Sequence, residues 1–251
     1  MKKFWLISPS AFLMTAALVL LVMPCSGQNT NGNANQSVIS RDAVAYGKTY
    51  GQWDAAWQQW AYSIPVANHP LFDNGDCSVG QTGSVWFLGG KFCANGATCD
   101  TANVVRYCKI PSGKAIYLPA LNAEDSALEE SAAENPGSTD AQQVNFMRGV
   151  VDGYIKTYAP YVFIDGVPVK NLIDKFTVQS DAFSFTIPYD NYLKALYGPG
   201  YDFPAGSYYP AVDAGQYVMI PPLPVGHHVI QFGGVTPWFT LNMKYNITVT
   251  K

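Results

Sequence analysis

The chain has 251 residues, a formal net charge of −3, and 13% charged against 48% hydrophobic side chains. No run of Lys or Arg occurs, so it carries no electrostatic footprint for nucleic acid, and an anionic membrane surface is an unfit partner. Its 16 Tyr, 13 Phe, 22 Gly and 17 Pro exclude disorder and suit a β-rich domain with many tight turns.

Residues 1–27 read as a signal peptide. Lys2 and Lys3 precede an apolar run over 11–23, broken by Thr15, and the small residues Ser26 and Gly27 follow. This order predicts export, with cleavage after Gly27 and a final location in the periplasm, on the cell surface or outside the cell. Ser8-Pro9-Ser10 interrupts the apolar stretch, so no membrane span is expected in the mature chain. A lipid anchor at Cys25 is the less favoured alternative, because Val22-Met23-Pro24 lacks the expected Leu and places Pro24 next to the cysteine.

Residues 28–40 are rich in Asn, Gln, Ser and Gly and read as a flexible linker; residues 41–251 read as one β-rich globular domain. Ser40 or Asp42 offers an N-cap for a first helix. On it Tyr46, Tyr50, Trp53, Trp57 and Trp60 fall on one face, a core-packing stripe, and Pro65 ends it. Strands are predicted over 84–88, 104–110 and 114–120. The acidic, Ala-rich stretch 122–134 reads as a solvated helix or loop. Thr139 and Gln142 form a capping-box pattern, and Val144, Met147, Val151, Tyr154 and Tyr158 continue a second helix up to Pro160.

The C-terminal half reads as β. Asp165-Gly166 is a strong hairpin signal between strands over 161–164 and 167–170. Further strands are expected over 176–178, 183–187, 217–220 and 228–232, with a loop over 198–210. In the last strand six apolar residues, from Phe239 to Val249, alternate with six polar ones, as in a half-buried strand. The expected fold is mainly β with two or more helices. It is an antiparallel β-sandwich of jelly-roll or immunoglobulin-like kind, with helices on one side and disulfide staples.

After leader removal four cysteines remain: Cys77, Cys93, Cys99 and Cys108. Their even number in an exported chain predicts two disulfides. The turn Asn95-Gly96 brings Cys93 and Cys99 together, and Cys77 and Cys108 flank strand-like runs; the expected pairs are therefore Cys77–Cys108 and Cys93–Cys99. A zinc site lacks both a C-x-x-C and a nearby His.

Catalytic motifs are scarce. Neither G-x-S-x-G nor H-E-x-x-H occurs. Asp73-Asn74-Gly75-Asp76 reads as a turn rather than a calcium loop, and His69, His227 and His228 read as structural. No metal and no cofactor is expected. Glu124 and Asp125, beside Asn122, are the one catalytic alternative, a carboxylate pair of the kind glycosidases use. The binding candidates are the tyrosines Tyr197, Tyr201, Tyr208 and Tyr209, whose faces and hydroxyls suit a glycan or an envelope protein.

Several motifs together resemble a family of uncharacterised exported bacterial proteins. They are Trp57-x-x-Trp60, Cys77-x-x-Gly80-Gln81-x-Gly83-x-Val85-Trp86-Phe87-Leu88 and Arg106-x-Cys108-x-x-Pro111-x-Gly113-Lys114. Pro222-Leu223-Pro224-x-Gly226-x-His228 and Tyr245-x-Ile247-x-Val249 complete the set. The resemblance implies a fold and a compartment from about Tyr46 onward, and no catalytic residues. It also implies that the shared pattern needs only Cys77 and Cys108, with Cys93 and Cys99 added here. The expected function is an exported, non-catalytic binding or structural module, with a secreted glycan hydrolase using Glu124 and Asp125 as the alternative.

Overall fold

The computed structural model describes residues 38–97, 99–130 and 137–251. The leader, its cleavage site, Cys25 and most of the linker lie outside the described residues. Those described fall in one compact unit, and none of their helices is long and apolar enough to cross a membrane.

In chain order the elements begin with α1 (Tyr50–Ser63), β1 (Val85–Phe87), β2 (Val104–Pro111), β3 (Ala115–Ser126), α2 (Ala127–Glu130) and α3 (Asp140–Ile155). The next are β4 (Ala159–Ile164), β5 (Val167–Pro168), α4 (Leu172–Phe176), β6 (Thr177–Gln179), β7 (Phe183–Ile187) and α5 (Tyr192–Tyr197). Three long strands close the chain: β8 (Gly206–Ile220), β9 (Gly226–Val235) and β10 (Thr240–Thr250).

Helix α1 starts later than Ser40 or Asp42. Thr49 Oγ1 accepts the Gln52 N–H at 3.3 Å and Gln52 Oε1 accepts the Thr49 N–H at 3.0 Å, a capping box that satisfies two orphan donors at once. Tyr46 lies before it, in a left-handed turn at φ 51°. The stripe Tyr50, Trp53, Trp57 and Trp60 is buried, as its spacing predicts, and Trp57 Nε1 donates to the Leu88 carbonyl at 2.8 Å. Helix α3 has the capping box expected from Thr139 and Gln142. The Asp165-Gly166 hairpin forms with both residues at positive φ, the geometry a two-residue primed turn requires.

The strands form two five-stranded sheets. In the first the order is β1-β3-β8-β6, with β7 also on β8; in the second it is β2-β10-β9-β4-β5. Pairing is mostly antiparallel, but β1 runs parallel to β3 and β2 parallel to β10. The inner faces share one buried cluster, with Ile116 and Leu118 of β3 among Ile110, Ile230, Phe232, Met243 and Ile247 of the second sheet.

Two strands extend beyond their sequence patterns. The acidic stretch after Leu121 continues β3 as far as Ser126, and β8 begins at Gly206, inside the expected loop. Both extensions pair with each other, Glu124 opposite Asp213. Cross-strand pairing supplies what local propensity lacks.

One irregularity in β3 positions the site. Pro119 pairs with Tyr217, but Leu121 pairs with Gln216, so Ala120 is an extra residue. Such a bulge reverses the alternation of side chains. Before it, the odd residue Tyr117 faces α1, where its hydroxyl donates to the Tyr50 carbonyl at 3.1 Å. After it, the even residues Asn122 and Glu124 share that face with Asp213 of β8, while Ala123 packs with Met147 and Val151 of α3. Helices α1 and α3 thus lie against opposite faces of the β3–β8 pair. Gly215 faces Asn122, and a Cβ there would come within 2.5 Å of the Asn122 Cβ.

Both expected disulfides are present, Cys77–Cys108 and Cys93–Cys99, each with Cα atoms 5.8 Å apart. Cys108 is buried in β2, and Cys77 lies 31 residues earlier in the loop before β1. Cys77→Ser with Cys108→Ser is expected to cost about 3–4 kcal/mol by the chain-entropy relation. Denaturant melts of oxidised wild type against the double variant measure it. A loss below about 1 kcal/mol would show that other contacts already hold the loop.

Candidate functional site

A cleft of about 350 Å³ opens between α1, α5, α2 and the C-terminal half of β3. Trp57 and Gln58 come from α1, Asn122 and Glu124 from β3, Glu129 from α2, and Tyr192 and Tyr197 from α5. Its size lies at the small end of ligand sites, and aromatic walls with a few convergent polar groups are the usual lining.

Two carboxyl groups meet in it. Glu129 is buried and accepts hydrogen bonds from Ser126 Oγ at 2.5 Å, Tyr197 OH at 2.9 Å and Tyr62 OH at 3.3 Å. Glu124 contacts it directly, and its own Oε1 is sealed from solvent without a hydrogen-bond partner. Burial pushes the Glu124 carboxyl well above the usual carboxylate range, and the Glu129 charge adds to the rise. Burial also raises Glu129, but the Ser126 and Tyr197 donors oppose it. Burial and the Glu129 charge thus favour a proton on Glu124, while the donors around Glu129 favour its ionised form.

A second pair lies behind the first. Asp213 Oδ2 accepts Nδ2 of Asn122 at 2.8 Å and Nε2 of Gln58, and its Oδ1 accepts the Tyr217 hydroxyl at 2.9 Å. Burial pushes Asp213 up to about 6 against these donors. Asp54 of α1 sits beside it, wholly buried; its carboxyl is raised far more by burial and then by the Asp213 charge. By strict geometry both Asp54 oxygens lack a partner, so the neutral acid is the form that burial favours.

Glu124 and Asp125 do not form one site. As neighbours on a strand they point to opposite faces: Glu124 lines the cleft and Asp125 does not. Asp125 is pushed up to about 8 by burial and by the Glu130 and Glu129 carboxyls. Of the four tyrosines, Tyr197 reaches the cleft through its bond to Glu129, and Tyr201 packs edge-on against it with centroids 5.2 Å apart. Tyr208 and Tyr209 belong to β8 rather than to a loop. Tyr208 packs on Phe185 and donates to the Pro204 carbonyl at 2.7 Å, so it is not part of this wall.

The other sequence candidates have structural partners. His69 is buried, accepts the Leu71 N–H at 3.1 Å and faces the Ala61 carbonyl at 3.0 Å; burial lowers its pKa to about 4. His228 pairs with Asp165 at 2.8 Å and His227 with Thr248 at 3.2 Å. Asp73 is held by Arg106 at 2.6 Å and Lys91 at 2.9 Å. Among the described residues no group of His, Cys, Asp and Glu converges to hold a metal ion. A larger groove, about 810 Å³, lies on the outer face of the second sheet beside Tyr107, Lys109 and His227. Asp76 on its wall is spent on Ser78, and its floor is the solvent-facing row of a half-buried sheet.

Sequence reading missed Gln58, Glu129, Asp54 and Asp213. One signal was present: Asp54 and Gln58 stand four residues apart among the aromatic residues of α1, where a polar pair on a core face needs a buried partner.

No family model matches the chain, and no curated protein does. Among solved structures it is similar to a cysteine protease inhibitor, EhICP2, from Entamoeba histolytica, at 12% identity over 66% of this chain and 96% of that one, with a TM-score of 0.23. It is also similar to PbICP-C, solved in complex with falcipain-2, at 10% identity over 67% of this chain and 100% of that one, TM-score 0.23. Likeness at this level carries no functional argument.

Proposed function

We propose that this is an exported protein whose Glu124/Glu129 cleft binds a small polar ligand without turning it over. The observation that carries this reading is the Glu124 Oε1, a sealed polar atom without a protein partner at the wall of an aromatic-lined cleft. Such an atom costs free energy until something hydrogen-bonds to it. The disulfides fit an oxidising compartment outside the cytosol, in keeping with the leader-like first 27 residues.

Glycan hydrolysis is the weaker alternative for a geometric reason. A glycosidic bond needs two carboxyls about 5–10 Å apart, flanking it. Glu124 and Glu129 stand next to each other on the same wall of the cleft rather than on its two sides, and Asp125 faces the other way.

Saturation-transfer NMR on the exported, oxidised protein tests the reading, with monosaccharides, free amino acids and small amines as probes. At least one class is expected to receive saturation from wild type and to lose it in Leu196→Trp, which fills the cleft. Signal that survives in Leu196→Trp, silence from all three classes, or turnover of any probe would overturn it.

A further inference from the structure

The polar groups of the cleft are unequally free. Its strongest donors are turned inward: Trp57 Nε1 to the Leu88 carbonyl, one N–H of each of the Gln58 and Asn122 amides to Asp213 Oδ2, and Tyr197 OH to Glu129. An amide whose nitrogen is pinned presents its oxygen. Gln58 is only 2% exposed, yet it lines the cleft together with Asn122. Its wall therefore presents acceptors: the two amide oxygens, and beside them the Glu124 carboxyl, whose Oε1 an occupant reaches only by displacing what seals it.

Its charge is equally one-sided. The charges acting on Glu124 are those of Glu129, Asp125 and Asp213, all carboxyls. From α1 and α5 it faces the phenols of Tyr62, Tyr192 and Tyr197, and Asp54 stands behind Asp213. Arg148 of α3 is turned to the Ser180 and Asp213 carbonyls instead.

We infer that the occupant of this cleft is a small organic cation with several N–H donors, of the guanidinium or primary ammonium class, seated on those acceptors and walled by Trp57 and Tyr197. The inference rests on the reading that the cleft is a ligand site. Aromatic faces attract such a cation, and a forked donor matches a carboxylate beside amide oxygens. The cation takes the place of the proton that burial favours on Glu124. Binding then releases one proton to solvent and tightens by up to about tenfold per pH unit while the pair remains protonated.

Isothermal titration of the full exported protein with n-butylguanidinium, against its neutral isostere n-butylurea, tests this. The guanidinium is expected to bind at least tenfold more tightly than the urea and to tighten from pH 6.5 to 8. Glu124→Gln, which mimics the protonated carboxyl and should keep the melting temperature at pH 6.5, is expected to abolish that preference. Equal binding of the urea, binding of glucose with no cation bound, or a guanidinium affinity that ignores both pH and Glu124→Gln would overturn the cation and leave a ligand cleft standing. No binding by any of the three probes, at either pH, would overturn the cation and the cleft together.

Discussion

Between pH 6.5 and pH 8 the fold is expected to lose stability, on the order of 1–2 kcal/mol from Asp125 alone, with a falling melting temperature. The cause is the buried acids. Unfolded carboxyls titrate near pH 4. In the fold Asp125 is pushed up to about 8, and Glu124 and Asp54 are raised well above the ordinary range, in each case chiefly by burial; Asp213, pushed up to about 6, has lost its contribution before this window opens. Between the two sets of values the folded chain holds protons that the unfolded chain has released. Their contribution is complete below about pH 4 and is lost as the pH climbs through each folded value, at about 1.4 kcal/mol per group per pH unit.

His69 works the other way. With its folded pKa lowered to about 4, it makes the fold gain stability with rising pH up to its unfolded value near 6.5. The pH window above 6.5 isolates the carboxyls. Urea melts at half-unit steps measure the slope, and Glu124→Gln should flatten it, because burial raises the Glu124 carboxyl. A curve that is level or rising from 6.5 to 8 would mean that these acids are ionised in the fold.

Removing the Arg106 guanidinium is the second large effect, an expected loss of about 3–5 kcal/mol for Arg106→Met. From β2 its Nε reaches Asp73 Oδ1 at 2.6 Å, its Nη2 the Leu71 carbonyl at 3.1 Å, and its Nη1 the Gly89 and Gly90 carbonyls at 3.1 and 3.2 Å and Tyr245 OH at 2.6 Å. One planar fork thus ties the loops on both sides of β1 to the second sheet. Without it the Gly90 carbonyl loses its donor, while the Leu71 carbonyl keeps the Phe92 N–H at 2.7 Å, the Gly89 carbonyl keeps Tyr245 OH at 2.8 Å and Asp73 keeps Lys91 at 2.9 Å; each of these three loses its charged donor, and methionine restores none. Arg106→Lys should rescue little, because an ammonium lacks the fork geometry. Asp73→Asn should cost far less, since that side chain is 36% exposed and water can serve it. A drop below about 1 kcal/mol in Arg106→Met would show that water enters and satisfies the carbonyls.

Where the sequence was legible, a local rule applied. Thr139 and Gln142 started α3 because a capping box needs only four residues, and Asp165-Gly166 made its hairpin because both residues tolerate positive φ, glycine for want of a Cβ. The closing strand kept its alternation from Leu241 on, with Leu241, Met243, Tyr245, Ile247 and Val249 all buried, whereas Phe239 lies before the strand and is exposed. Helix α1 was legible in its aromatic face but not in its start, since the Thr49 capping box outcompeted Ser40 and Asp42. The acidic stretch after Leu121 was misread as a solvated helix or loop. Its partner strand lies about ninety residues away, and nothing local announces that pairing.

Composition, cysteine number and hydrophobic period alone determined a β-rich, doubly stapled body with an aromatic helix against it. The site was decided by tertiary structure. Gln58 meets Asp213 across 155 positions of chain, and the extra residue Ala120 turns Asn122 and Glu124 towards α1 when an unbroken alternation would turn them away. Glu129 replaces Asp125 as the partner of Glu124, because adjacent strand residues diverge while the short helix α2 folds back over the same face. Local chemistry reaches a few residues along the chain, whereas a carboxyl pair is defined by which segments burial brings together.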